Sequence, residues 1–82
     1  MSEPAIRDEI LAQTAARGPA KSICPSEVAR ALAPEDWQPL MPRIRREAAV
    51  LAREGRIDIL RKGKPVDPEA EIRGVIRLRI RP

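Results

Sequence analysis

Four arginines, Arg43, Arg45, Arg46 and Arg53, lie close together in the middle of the chain. A guanidinium is permanently charged and presents a planar fork of donors, which suits phosphate oxygens and the edge of a guanine. A second basic group, Arg61, Lys62 and Lys64, surrounds Gly63, and a third, Arg77, Arg79 and Arg81, alternates with apolar residues near the end. This is chemistry for a polyanion. The one thiol, Cys24, stands immediately before Pro25. With no His and one Cys, the chain by itself cannot build a tetrahedral zinc site, a Ser-His-Asp triad or an internal disulfide. Acid–base catalysis would have to rest on Asp, Glu, Lys or Arg without a Gly-rich phosphate cradle, so neither an enzyme nor a cofactor or metal is expected.

The basic groups are unevenly placed. Through Pro42 there are four basic and six acidic residues, net −2, whereas from Arg43 onward there are twelve basic and six acidic, net +6. A chain with a sequence pI near 10.2 and such a basic half is suited to a polyanionic partner. Its 82 residues imply a single domain over 1–82 with a thin core, burying roughly 60–65% of the unfolded surface. Aromatics supply 1% of residues, Trp37 alone, so aliphatic side chains must do the packing. No apolar run reaches the ~20 residues of a membrane span, and Met1-Ser2-Glu3-Pro4 lacks the features of a signal peptide. The expected location is the cytoplasm, without a membrane partner.

The elements that position these groups follow from stop and start signals. Pro4 suits a first helical turn, Ile6, Ile10 and Leu11 supply an apolar face, and Gly18-Pro19 ends the helix. Pro25 begins a second helix with Val28, Ala31 and Leu32 facing inward, closed by Ala33-Pro34. Between them Lys21-Ser22-Ile23-Cys24 reads as a brief strand, with Cys24 extended before proline. A third helix is expected from Pro42 to Glu54, with Gly55 as its left-handed stop; Met41 is biased away from helical angles by the proline after it. On a wheel of about 100° per residue, Leu40, Met41, Ala48, Leu51 and Ala52 fall within about 80° of Ile44. Arg46 and Arg53 then point outward, with Arg43 and Arg45 on the shoulders.

Beyond Gly55, residues 56–61 read as a strand and Lys62-Gly63-Lys64-Pro65 as a basic break. A second strand is expected from Ile72 to Ile80, with Ile76, Leu78 and Ile80 on one face and the arginines on the other. Together these make a hairpin with an oversized loop. The order of elements predicts an α+β fold, a winged helix-turn-helix: three helices with a small antiparallel sheet, made of a two-strand C-terminal hairpin plus a short strand near residues 21–24. The competing architecture is a three-helix bundle with a disordered tail, against which the regular alternation at the end argues.

The runs Ser22-Ile23-Cys24-Pro25-Ser26-Glu27-Val28-Ala29-Arg30-Ala31-Leu32, Trp37-Gln38-Pro39-Leu40-Met41-Pro42, and Gly55 through Pro68 resemble a small uncharacterised bacterial family, carried as a domain of unknown function. The resemblance extends from about Ile6 to about Ile80. It implies a winged-helix fold and, because that family has no assigned activity, no functional residue.

The leading expectation is a non-enzymatic module that binds double-stranded DNA, a transcription-related regulator in kind. Arg43, Arg45, Arg46 and Arg53 would enter a major groove, and Arg61, Lys62 and Lys64 would meet phosphates at the wing. The alternative is an interaction module that offers the same basic face to an acidic protein. Each group also has a plainer role. The helix arginines can form a solvated face partly neutralised by Glu47 and Glu54, and the wing lysines keep a hairpin soluble. Arg77, Arg79 and Arg81 guard a sheet edge, with Asp58 placed to pair across it. Cys24 is read as a packing residue, Trp37 as a staple for the turn between the second and third helices. Composition and spacing alone leave the oligomeric state, the target sequence and the reactivity of Cys24 open.

Overall fold

The computed structural model describes residues 3–82. Helix α1, Glu3–Arg17, buries Ile6 and Ile10 and stops where Gly18 takes a left-handed φ of 80°, a conformation that costs glycine little. Thr14 is the one buried polar residue among those described; its hydroxyl donates back to the Ile10 carbonyl at 2.8 Å, which removes the cost of burying it. Helix α2, Pro25–Leu32, starts on proline, whose missing N–H is no loss in a first turn. The Glu27 carboxylate accepts the Cys24 N–H at 2.7 Å, satisfying a donor the helix leaves open.

Helix α3, Met41–Arg53, begins one residue before the expected start, directly after a 3₁₀ turn at Gln38–Leu40. Met41 is helical, with φ −54° and ψ −45°, despite Pro42. In the first turn the proline needs no donor, and helical angles at Met41 bring Leu40 and Met41 against the core. Ile44, Ala48, Ala49 and Leu51 are buried, so the inward face is the one the wheel places there, with Ala49 added.

The sheet contains β1 Ile57–Arg61, β2 Lys64–Pro65 and β3 Arg77–Ile80, in the order β2-β1-β3. Both neighbours of β1 are antiparallel, and Ile57, Asp58, Ile59 and Leu60 pair with Ile80, Arg79, Leu78 and Arg77. The expected antiparallel pairing of the two strands is present, and the long loop between them carries a further short strand, β2. β1 first turns tightly through Lys62 and Gly63, with φ 53° and 80°, the two left-handed residues of a type I′ turn. Only after β2 does the chain cross to the other edge of β1. The last strand starts at Arg77 rather than Ile72, because β1 turns away after Arg61 and leaves residues 72–76 no partner to pair with. The expected strand near residues 21–24 reduces to one bridge, in which Ile23 and Leu78 exchange N–H···O bonds of 2.8 Å each; α2 begins two residues later.

Helices and sheet share one aliphatic core. Ile6 and Ile10 from α1, Val28 from α2, Ile44 and Leu51 from α3, and Ile57, Ile59 and Leu78 from the sheet are within 1% of fully buried. The result is α+β, in a winged-helix-like arrangement, in which the wing comprises the Lys62-Gly63 turn with β2 and the connection 66–76 that returns to β3.

Candidate nucleic-acid interface

Because Ile44, Ala48 and Leu51 anchor α3 inward, Arg46 and Arg53 are exposed on its outer ridge and Arg43 and Arg45 are half-buried on its shoulders. The four arginines do not have one fate. Arg45 donates to the carbonyl oxygens of Ile72 at 3.2 Å and Gly74 at 3.1 Å, tying the wing connection to the helix. Arg53 lies 3.4 Å from a carboxylate oxygen of Glu69 on the same connection. Arg43 is not free. Arg46 points to solvent with no carboxylate partner among the described residues.

The wing connection therefore lies alongside the ridge and forms a groove with it. Pro42 and Ala49 line the helix side and Pro68, Ala70 and Ile72 the wing side of a groove of about 410 Å³ that is widely open to solvent. Arg45, Arg46 and Arg53 complete the lining.

At the tip of the hairpin, Lys62 and Lys64 are exposed on either side of Gly63, held there by the tight turn. Arg61, also exposed, backs onto the wing: a Cβ at Gly74 would meet its Nη2 at 3.5 Å. The third basic group is occupied within the fold. Arg77 donates to the Ser22 hydroxyl at 2.8 Å and the Ser22 carbonyl at 2.9 Å. Asp58 takes both remaining arginines, Arg79 at 3.0 Å and Arg81 at 3.5 Å, so the pairing expected across the hairpin is present twice over.

Glu47 and Glu54 are turned toward α1 rather than left to the helix arginines. Arg7 lies 3.6 Å from Glu47 and forms a paired hydrogen bond with Glu54. That hydrogen bond, assisted by the charge of Arg7, holds the Glu54 carboxyl below its ordinary range, and the same bond raises the Arg7 guanidinium.

The remaining candidates are structural in placement. Cys24 is half-buried, and its Sγ accepts the Ser26 hydroxyl at 3.0 Å. Trp37 packs against the core between α2 and α3, and the Arg30 guanidinium stacks 4.5 Å from its ring centroid, a cation–π contact. Nothing in the spacing of Arg30 and Trp37 announces that contact, and the same is true of the Arg45 tie. Among the described residues no cluster of His, Cys, Asp and Glu is arranged to hold a metal ion, and no helix is long and apolar enough to cross a membrane.

Comparison with curated proteins gives no match. A family model does match over residues 3–81, nearly the whole chain, and its description reads "Protein of unknown function (DUF3253)". The chain that carries this partly tethered arginine ridge and lysine-tipped hairpin belongs to that family.

Proposed function

We propose that the chain is a non-enzymatic winged-helix module that binds double-stranded DNA, in keeping with a small bacterial cytoplasmic regulator. The observation that carries this reading is Arg46. It stands on the outer ridge of a helix whose opposite face is fully packed, exposed and without a carboxylate partner among the described residues. A guanidinium there is ready to meet a base edge or a phosphate. Lys62 and Lys64, on an exposed tight turn, suit point-charge contacts to phosphates. Arg43 and Arg61 flank these groups, and Arg53 joins them once Glu69 yields. Arg45 supports the interface by holding the wing rather than by touching the duplex. Winged-helix architecture alone assigns no function, so the weight rests on these side chains.

One observation favours a second reading. Glu69 already places a carboxylate on Arg53, which is how an acidic protein segment would engage the same ridge. Titration with duplex over a range of salt separates the two. Neutralising about four phosphates gives a slope of log K against log salt near −3.6, so affinity falls roughly a hundredfold between about 50 and 200 mM salt. A slope shallower than about −1, or less than about a tenfold preference for a selected sequence over random duplex, rejects specific DNA binding and favours the interaction module.

A further inference from the structure

We propose that the groove between α3 and the wing is a binding site for a small amphipathic anion, a carboxylate carried on a flat apolar body. The site needs no nucleic acid; its consequence for duplex binding rests on the DNA-binding reading.

Its volume of about 410 Å³ falls in the ~300–1,000 Å³ range of small-molecule sites. Its walls are short and apolar. Arg46, Ala49 and Arg53 follow one another at spacings of three and four, so they share a face. Ala49, a residue only 7% exposed, is a shallow floor between two guanidiniums. Ala70 and Ile72 face it from the wing. The far wall is preformed, because Arg45 fixes the carbonyls of Ile72 and Gly74 to the helix, and little ordering remains for a ligand to impose.

The charge decides which ligand fits. Three guanidiniums line the groove, and a carboxylate already placed against them is Glu69, 73% exposed and 3.4 Å from Arg53. An exposed pair of that kind contributes little and is readily exchanged. An incoming carboxylate can take Arg46 and displace Glu69 from Arg53, while its apolar body covers Ala49, Ala70 and Ile72. Such a ligand occupies the ridge proposed for duplex, so the two would compete.

The test titrates the full chain, without DNA, with 2-naphthoate and its neutral analogue 2-naphthamide, read by NMR. Saturable shifts centred on Ala49, Ala70 and Ile72 are expected for the naphthoate, with the amide at least about tenfold weaker, as befits a lost charge-assisted hydrogen bond. Arg46→Gln with Arg53→Gln should abolish that difference at unchanged melting temperature. Ala49→Leu should weaken both probes by filling the floor; because it crowds the wing, the exposed arginine pair decides the matter if that variant melts early. Equal affinity of acid and amide overturns the proposal, as do shifts centred elsewhere or no saturation below about 1 mM. Adding duplex isolates the linked claim. Naphthoate that fills the groove without lowering duplex affinity removes the competition and leaves the site, whereas failure of duplex to bind at all rejects only the DNA reading.

Discussion

Arg45 reaches from helix α3 to the Gly74 carbonyl, 29 positions along the chain, donating at 3.1 Å. With its second bond to Ile72 at 3.2 Å, one guanidinium holds the wing on both sides of Arg73. A lysine ammonium keeps the charge but lacks the planar fork that spans two carbonyls. Arg45→Lys is therefore expected to speed hydrogen exchange across residues 70–76 while lowering global stability by only about 1 kcal/mol, since the released carbonyls are near solvent and rehydrate. Unchanged exchange in that segment would show that the wing is held by other contacts.

Leu51 is the opposite kind of residue, fully buried on the inward face of α3. In a core with no Phe or Tyr, little nearby bulk can collapse into the space it leaves. Leu51→Ala should cost about 2–5 kcal/mol in denaturant unfolding, a large share of a total of about 5–15 kcal/mol. A loss under about 0.5 kcal/mol would place Leu51 outside the core.

Much of this fold is legible in the sequence because it is written in local signals. Gly18, Pro25 and Gly55 mark helix ends, and the apolar alternation of residues 76–80 survives as buried Ile76 and Leu78 beside exposed Arg77. What is not legible depends on partners distant along the chain. Either edge of β1 offers open hydrogen-bonding groups, and the pattern of Ile57 to Arg61 does not say that β2 takes one edge and β3 the other. Arg45 and Arg46 show the same limit at the interface. They are adjacent and identical in type, yet about 100° of helix rotation sends one to the wing carbonyls and the other to solvent. Only the path of residues 66–76 decides between them.

Glu54 makes acid stability a readable quantity. Its carboxyl is held below the ordinary range, first by the hydrogen bond from Arg7, so the folded state favours the charged form. The resulting stabilisation is fully present above the unfolded-state pKa of a glutamate and is lost as pH falls through the depressed folded value. Thermal melts of the parent and Glu54→Gln should differ at neutral pH, with the parent higher, and converge as the medium is acidified through that window. The pair is exposed, so the difference is small. A gap that stays constant down to strong acid would mean that the Arg7 contact does not depend on the charge of Glu54.

The arginines themselves provide the sharpest comparison for duplex binding, because the fold assigns each a different task. Arg46→Ala removes an exposed guanidinium without a carboxylate partner among the described residues. It should weaken duplex binding and make the salt slope shallower by about 0.9 if the contact is to a phosphate, with an unchanged melting temperature. Arg53→Ala should do less, since its charge is already partly met by Glu69. Arg77→Ala removes an equal charge, but from a side chain committed to Ser22. It should therefore disturb the bridge between Ile23 and Leu78, seen as faster exchange of those amides, and leave the salt slope close to that of the parent. If all three substitutions reduce the slope equally, binding follows net charge, and the α3 ridge is not the interface.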